Sequence, residues 1–243
     1  MLESDLETIW VYLSATPLLG LTITLVVYSI AYRLYIYANS NPLLNPVVTS
    51  VALLIVFLLL TETSYEAYFE GGQFVHFLLG PATVALAIPL YQQFSKLRKL
   101  WLHVSVALIS GVTIGAFSSI TIAWLLGASI QTQLSLAPKS VTAPVAMGIS
   151  EQIGGLPSLT AVLVVVTGII GAIIGTKLFE LMQIKDDSVK GIAMGITAHG
   201  IGTARAFQVS SEMGAFSGLA MALSAFATAI ILPWLLGLLD LFR

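Results

Sequence analysis

Long apolar runs, close to a bilayer core in length, constrain this chain more than any other feature. A hydrocarbon core about 30 Å thick takes about 20 helical residues. Runs approximately from Ile9 to Tyr37, Pro46 to Thr61, Trp101 to Leu126, Leu159 to Leu181 and Gly214 to Leu239 read as helices of this class. Only 9% of the 243 residues are Asp, Glu, Lys or Arg, against about 25% in a soluble domain. That is too little polar material to cover a soluble globule. The expected fold is all-α, a polytopic integral membrane protein.

Three further apolar stretches are interrupted. Val75–Tyr91 is broken by Gly80-Pro81 and Pro89, Ile130–Ile149 by Pro138 and Pro144, and Val189–Phe207 by Gly195, Gly200 and Gly202. Proline removes a backbone hydrogen bond and glycine weakens a helix, so these stretches read as broken helices or re-entrant hairpins. Open backbone at membrane depth is tolerated only inside protein or beside a water-filled cavity. The interrupted segments are therefore expected together, near the midplane.

Lys and Arg in short loops set orientation. Lys96, Arg98, Lys99, Lys185, Lys190, Arg33 and the terminal Arg243 are placed in the cytoplasm, with the C-terminus. Glu62, Glu66, Glu70, Gln131-Thr132-Gln133, Glu151-Gln152 and Ser210-Ser211-Glu212 are placed outside. This requires Ile130–Ile149 to start and end outside. A single membrane domain results: an N-terminal helix over 1–40, a first repeat over about 41–126 and a second over about 130–243. Each repeat holds a full helix, a broken segment and a full helix, and the assigned directions make the second an inversion of the first. Gly80-Pro81-Ala82-Thr83 holds the place in one series that Gly200-Ile201-Gly202-Thr203 holds in the other. Inverted repeats with discontinuous helices at the midplane are common in secondary transporters.

Charge at membrane depth is costly and usually serves a polar solute. Lys139 stands among Ser140, Thr142 and two prolines. A half-helix beginning after Pro138 would gather free N–H groups and a positive dipole end there, which together bind anions. The bland alternative is a lysine snorkelling to headgroups with local hydroxyl caps. Arg205 follows His199, Gly202 and Thr203. Its guanidinium can fork onto a carboxylate, and His199 can carry a proton near neutral pH. Their bland roles are an interface contact and a bond to a carbonyl. Thr83 follows Gly80-Pro81 and can line the same cavity or bond back to its own helix. Asn45 is placed to cap the second helix.

Other chemistries find no support. There is no phosphate-binding loop or dinucleotide fingerprint, and the three histidines, at 76, 103 and 199, lack metal-ligand spacing. No cofactor is expected. A net charge of −2 offers no basic field for nucleic acid. Pairing Ser150 with His199 as a protease site has little beyond chance behind it, and no enzyme is expected.

Four segments carry a family resemblance. They are Phe77–Tyr91, Pro138–Ala146, Ile153–Ala161 and Ala198–Ala206. In this order they resemble the LrgB/CidB family, over the chain from about Asn41 onward. The resemblance implies one of two activities. One is a holin/antiholin-like modulation of murein hydrolase activity and autolysis. The other is carriage of small monocarboxylates such as pyruvate, glycolate or glycerate. It also implies a cell-membrane location and a small LrgA/CidA-type membrane partner, and a homo-oligomer is open. The expectation favoured on the residues is a secondary carrier of a small carboxylate, held by Lys139, Ser140, Thr142, Thr203, Arg205, Thr83 and His199.

Overall fold

The computed structural model describes residues 17–38, 41, 44–78, 81, 84–85 and 87–238. Thr83 and Arg243 lie outside the described residues. Ten helices are described, α1 Pro17–Tyr37, α2 Pro46–Leu60, α3 Tyr65–Phe77, α4 Ala87–Gln92, α5 Phe94–Leu125, α6 Ile130–Leu136, α7 Ala143–Ile153, α8 Pro157–Leu181, α9 Asp187–Val209 and α10 Ser211–Leu238. Among the described residues α1, α5, α8 and α10 are long and apolar enough to cross a membrane, and α2 is a shorter apolar helix. The chain is a polytopic, all-α membrane protein.

Two compact units divide the chain, Met1–Ala85 and Leu86–Arg243. In the first, α1 packs on α2 and α3. Asn45 caps α2 as its sequence position predicts, its Oδ1 accepting from Val47 N at 2.9 Å. Thr24 Oγ1 meets Tyr68 OH at 2.7 Å and joins α1 to α3.

The second unit holds three full helices and two hairpins. Helices α5 and α10 run in the same direction. Lys96 in the first turn of α5 pairs with Glu212 at the start of α10. Val104 and Leu108 share a core cluster with Phe216 and Ala220, and Ala116 shares one with Leu232 and Leu236. Helix α8 runs the other way: Val164 near its start joins Ala116, and Phe179 near its end joins Met213. One end of this unit therefore carries Lys96 and Glu212, and the opposite end carries Pro157.

Helix α9 is not a through-span. At His199 the backbone takes φ 41 and ψ −133, a break inside the run. Residues 187–198 lead in and residues 200–209 lead back. The return is fixed by Ser210 Oγ, which donates to Asp187 Oδ2 at 2.7 Å. This is hairpin 2, entered from the Lys96 face. Hairpin 1, formed by α6 and α7, enters from the Pro157 face, as the sequence requires of residues 130–149. Its turn spans residues 137–142.

The reversal at His199 corrects the assignment of sides. The sequence reading separates Ser210-Ser211-Glu212 from Lys96, Lys185 and Lys190; the structure puts Glu212 on Lys96 at 2.6 Å. A Gly-rich break can mark a kink or a full reversal, and here it is a reversal. The expected inversion between the third helices of the two repeats fails for the same reason, since α5 and α10 are parallel.

Candidate functional site

The two hairpin tips meet the same turn of α8. Val164, 1% exposed, belongs to the core cluster that contains Ala137 and Val141 of the hairpin 1 turn. The Val164 carbonyl is also 2.9 Å from His199 Nε2 at the tip of hairpin 2. That carbonyl has no proton, so His199 donates from Nε2. Val164 lies seven residues into a 25-residue helix, about 10 Å from its start at 1.5 Å per residue. The tips thus lie about two helical turns along α8 from its Pro157 end.

Hairpin 1 is short-armed and stapled by hydroxyls. Ser135, Ser150 and Thr160 are each 0% exposed. Thr160 Oγ1 lies 2.7 Å from Ser150 Oγ and 3.0 Å from Ser135 O, and Ser135 Oγ accepts from Leu156 N at 2.8 Å. A buried hydroxyl without a partner costs about 1–3 kcal/mol, so this network fixes the hairpin on α8. Ser150 is bonded to Thr160, and His199 Nε2 to the Val164 carbonyl.

Lys139 stands in the turn, half-buried, and its Nζ donates to Ser140 Oγ at 3.3 Å. The half-helix does not begin at Pro138. Residues 137–141 turn through Lys139 N to Leu136 O at 3.1 Å and Val141 N to Pro138 O at 3.2 Å. Helix α7 begins at Ala143, behind Thr142. Pro138 is used in the turn and Pro144 in the first turn of α7, where proline is tolerated. The Thr142 side chain makes no capping bond to α7, so the free amides of that helix end sit beside Thr142, a few residues past Lys139.

Hairpin 2 is docked by close backbone approach. A Cβ added at Gly171 would lie 2.5 Å from the Ala198 Cβ, and one at Gly168 would lie 2.7 Å from His199 Cε1. Gly195 faces the Ser217 carbonyl of α10 at still closer range. Small residues let membrane helices approach this way. Backbone like that of His199 is strained by about 1–3 kcal/mol and persists only where its surroundings hold it. Two bonds do so: Nε2 to Val164, and Thr203 Oγ1 donating to His199 O at 2.8 Å. Thr203 also meets Ser217 Oγ at 2.9 Å.

At the base of hairpin 2, Lys96 Nζ lies 3.2 Å from Asp186 Oδ1 and 2.6 Å from Glu212 Oε1. Lys190 pairs with Asp187 at 2.8 Å. The Ser188 hydroxyl, Lys96 and the amides of Ser188 and Val189 hold the Asp186 carboxyl down at about 2.

The expected site residues thus fall into groups. Lys139, Ser140 and Thr142 share the hairpin 1 turn. His199 and Thr203 share the hairpin 2 tip. Arg205 is on the returning arm, half-buried, with Nη1 donating to Gln208 Oε1 at 3.1 Å. Thr83 is outside the described residues. Among the described residues no group of His, Asp and Glu is placed to hold a metal. Sequence reading missed Ser135, Thr160 and Ser217, because single hydroxyls in apolar helices usually bond back to their own turn.

The LrgB-like family profile matches residues 24–238. Relatives include the uncharacterized protein YwbG of Bacillus subtilis, 41% identical over 76% of this chain and 82% of its own. The holin-like protein CidB of Staphylococcus epidermidis is 32% identical over 93% of this chain and 97% of its own. The antiholin-like protein LrgB of Bacillus mycoides is 29% identical over 90% and 95%. No solved structure matches the chain. Four membrane-length helices, two opposed hairpins and a match along most of the length agree, and this chain belongs to the LrgB-like family.

Proposed function

We propose that this chain is a holin/antiholin-like membrane protein that alters membrane permeability and thereby murein hydrolase activity and autolysis. The similarity to proteins named holin-like CidB and antiholin-like LrgB, over at least 90% of both chains, carries this reading. A small LrgA/CidA-type membrane protein is the proposed partner. No enzymatic activity is proposed.

A second reading is favoured by one observation: two re-entrant hairpins from opposite faces reach the same turn of α8 at Val164. Discontinuous helices meeting at depth suit a secondary carrier, with the solute at their ends. The proposed solute is a two- or three-carbon carboxylate. Lys139 would neutralise it, Ser140 and Thr142 would donate to it, and Thr203, Arg205 and His199 would face it from hairpin 2. Thr83 is kept as a further candidate.

The face carrying Lys96, Arg98, Lys99, Lys185 and Lys190 is proposed to be cytoplasmic, from the positive-inside bias. Helix α10 then ends on the outer side, opposite to the C-terminal side expected from sequence.

Proteoliposomes holding the chain alone separate the two readings. Release of a trapped dye without saturable uptake of labelled pyruvate supports the first and removes the second. Saturable uptake without dye release, lost in Lys139→Ala, does the reverse. If neither occurs, co-reconstitution with the small partner must produce dye release, or the first reading fails.

A further inference from the structure

We propose that an anionic phospholipid of the leaflet at the Lys96 face seats one acyl chain in the groove between α5 and the ingoing arm of hairpin 2. The groove has a volume of about 460 Å³. At ~30 Å³ for each water-sized group, that is room for about fifteen, on the scale of the methylenes of one chain. Its walls are Leu100, Val104 and Ala107 of α5 and Val189, Ile192 and Ile196 of α9. Ser110 and Thr197 lie at its deep end, and His103 and Ser188 near its mouth.

Length selects the occupant. The α9 wall ends where the chain reverses at His199. From Leu100 to Gly111 the α5 wall rises about 16 Å at 1.5 Å per residue. One leaflet of a 30 Å core is about 15 Å deep. A transmembrane helix would leave half of its length beyond the groove, whereas the chain of a single leaflet ends with it. A crevice of this size facing hydrocarbon also does not stay empty, because its walls would forfeit their dispersion contacts.

Charge selects the headgroup. Lys99 stands one turn before His103 on the same side of α5, and both are exposed. Three acids of this face are engaged: Asp186 and Glu212 on Lys96, Asp187 on Lys190 and Ser210. Lys99 therefore supplies a cation one helical turn from His103 in the groove lining, and basic pockets between membrane helices recognise anionic headgroups.

The test is native mass spectrometry of the full chain in detergent, titrated with dioleoyl phosphatidylglycerol or dioleoyl phosphatidylcholine. The expected result is one phosphatidylglycerol retained at about tenfold lower concentration than phosphatidylcholine. Ala107→Phe on the α5 wall and Ala193→Phe on the α9 wall, both residues of the groove lining, should each weaken retention at least fivefold with the unfolding temperature kept. Lys99→Gln should bring the two lipids within about twofold, and Ile230→Phe on the exposed side of α10 should change nothing. Equal retention of both lipids by the unmodified chain overturns the proposal, as does undiminished phosphatidylglycerol retention in both folded groove variants. Should both groove variants unfold, unchanged discrimination in Lys99→Gln overturns it.

Discussion

Hairpins 1 and 2 solve one problem with different chemistry. Each must turn backbone around inside the hydrocarbon without leaving polar groups bare. Hairpin 1 uses a turn over residues 137–142, and Ser135, Ser150 and Thr160 bind it to α8. Hairpin 2 reverses at the single break of His199, slots against the glycines of α8 and α10, and ties its two ends with Asp187 and Ser210. The first is held by hydrogen bonds near its tip, the second by shape along its length and charge at its base. A tip held by hydroxyls leaves Lys139 with Ser140 as its neighbour in the turn, whereas the strained tip of hairpin 2 spends His199 and Thr203 on its own support. Lys139 is therefore the better candidate for meeting a solute, and His199 for positioning.

Bulk should hurt hairpin 2 most. Gly171→Leu forces the ingoing arm off α8, and overpacking of this kind costs about 3 kcal/mol. Gly148→Ala on hairpin 1, where an added Cβ meets nothing within 4 Å, should stay within about 0.5 kcal/mol of the parent. Denaturant unfolding in detergent measures both, and equal losses would erase the distinction.

Loss of a hydroxyl should hurt hairpin 1. Thr160→Val removes the hydroxyl that bridges Ser150 Oγ and the Ser135 carbonyl, at about 1–3 kcal/mol. Amide exchange should then rise over residues 130–153 and not over 187–209. A rise confined to hairpin 2 would contradict the assignment.

Charge at the base should matter least for global stability. The Lys96 and Asp186 side chains are 37% and 50% exposed, and pairs this exposed contribute at most about 1 kcal/mol. Lys96→Met should accordingly shift unfolding little, while raising amide exchange at residues 186–190. Acid sharpens the same contrast. The folded Asp186 value of about 2 lies below its ordinary 3.8, so its stabilisation is complete above pH about 4 and lost as pH falls through about 2. Exchange at the base of hairpin 2 should rise over that window while residues 130–153 keep their protection; a uniform rise would mean that the carboxylate has no local role.

The sequence makes the breaks legible and leaves their geometry open. Proline at 138 and 144 and glycine at 200 and 202 mark interrupted helices by their backbone chemistry alone. Whether a break kinks or reverses depends on partners far away: Asp187 with Ser210, and Lys96 with Glu212, 116 residues apart. No local pattern encodes those pairs, which is why the sequence reading separates Ser210–Glu212 from Lys96 and runs α10 opposite to α5. Lys139 and Ser140 are readable as site residues because charge is rare at such depth. Ser135 and Thr160 are not, because a hydroxyl that staples a hairpin and one that merely bonds back to its own helix look alike in sequence.

The reversal of α9 is the central claim, and the absence of native cysteine makes it directly testable. Single-cysteine variants Lys185→Cys, Ser211→Cys and Ser158→Cys in oriented membrane vesicles would be treated with a thiol reagent that cannot cross the bilayer. The account predicts that positions 185 and 211 label from one side and position 158 from the other. Labelling of position 211 from the side opposite to 185 would mean that α9 crosses the membrane, and the pair of opposed hairpins would not exist.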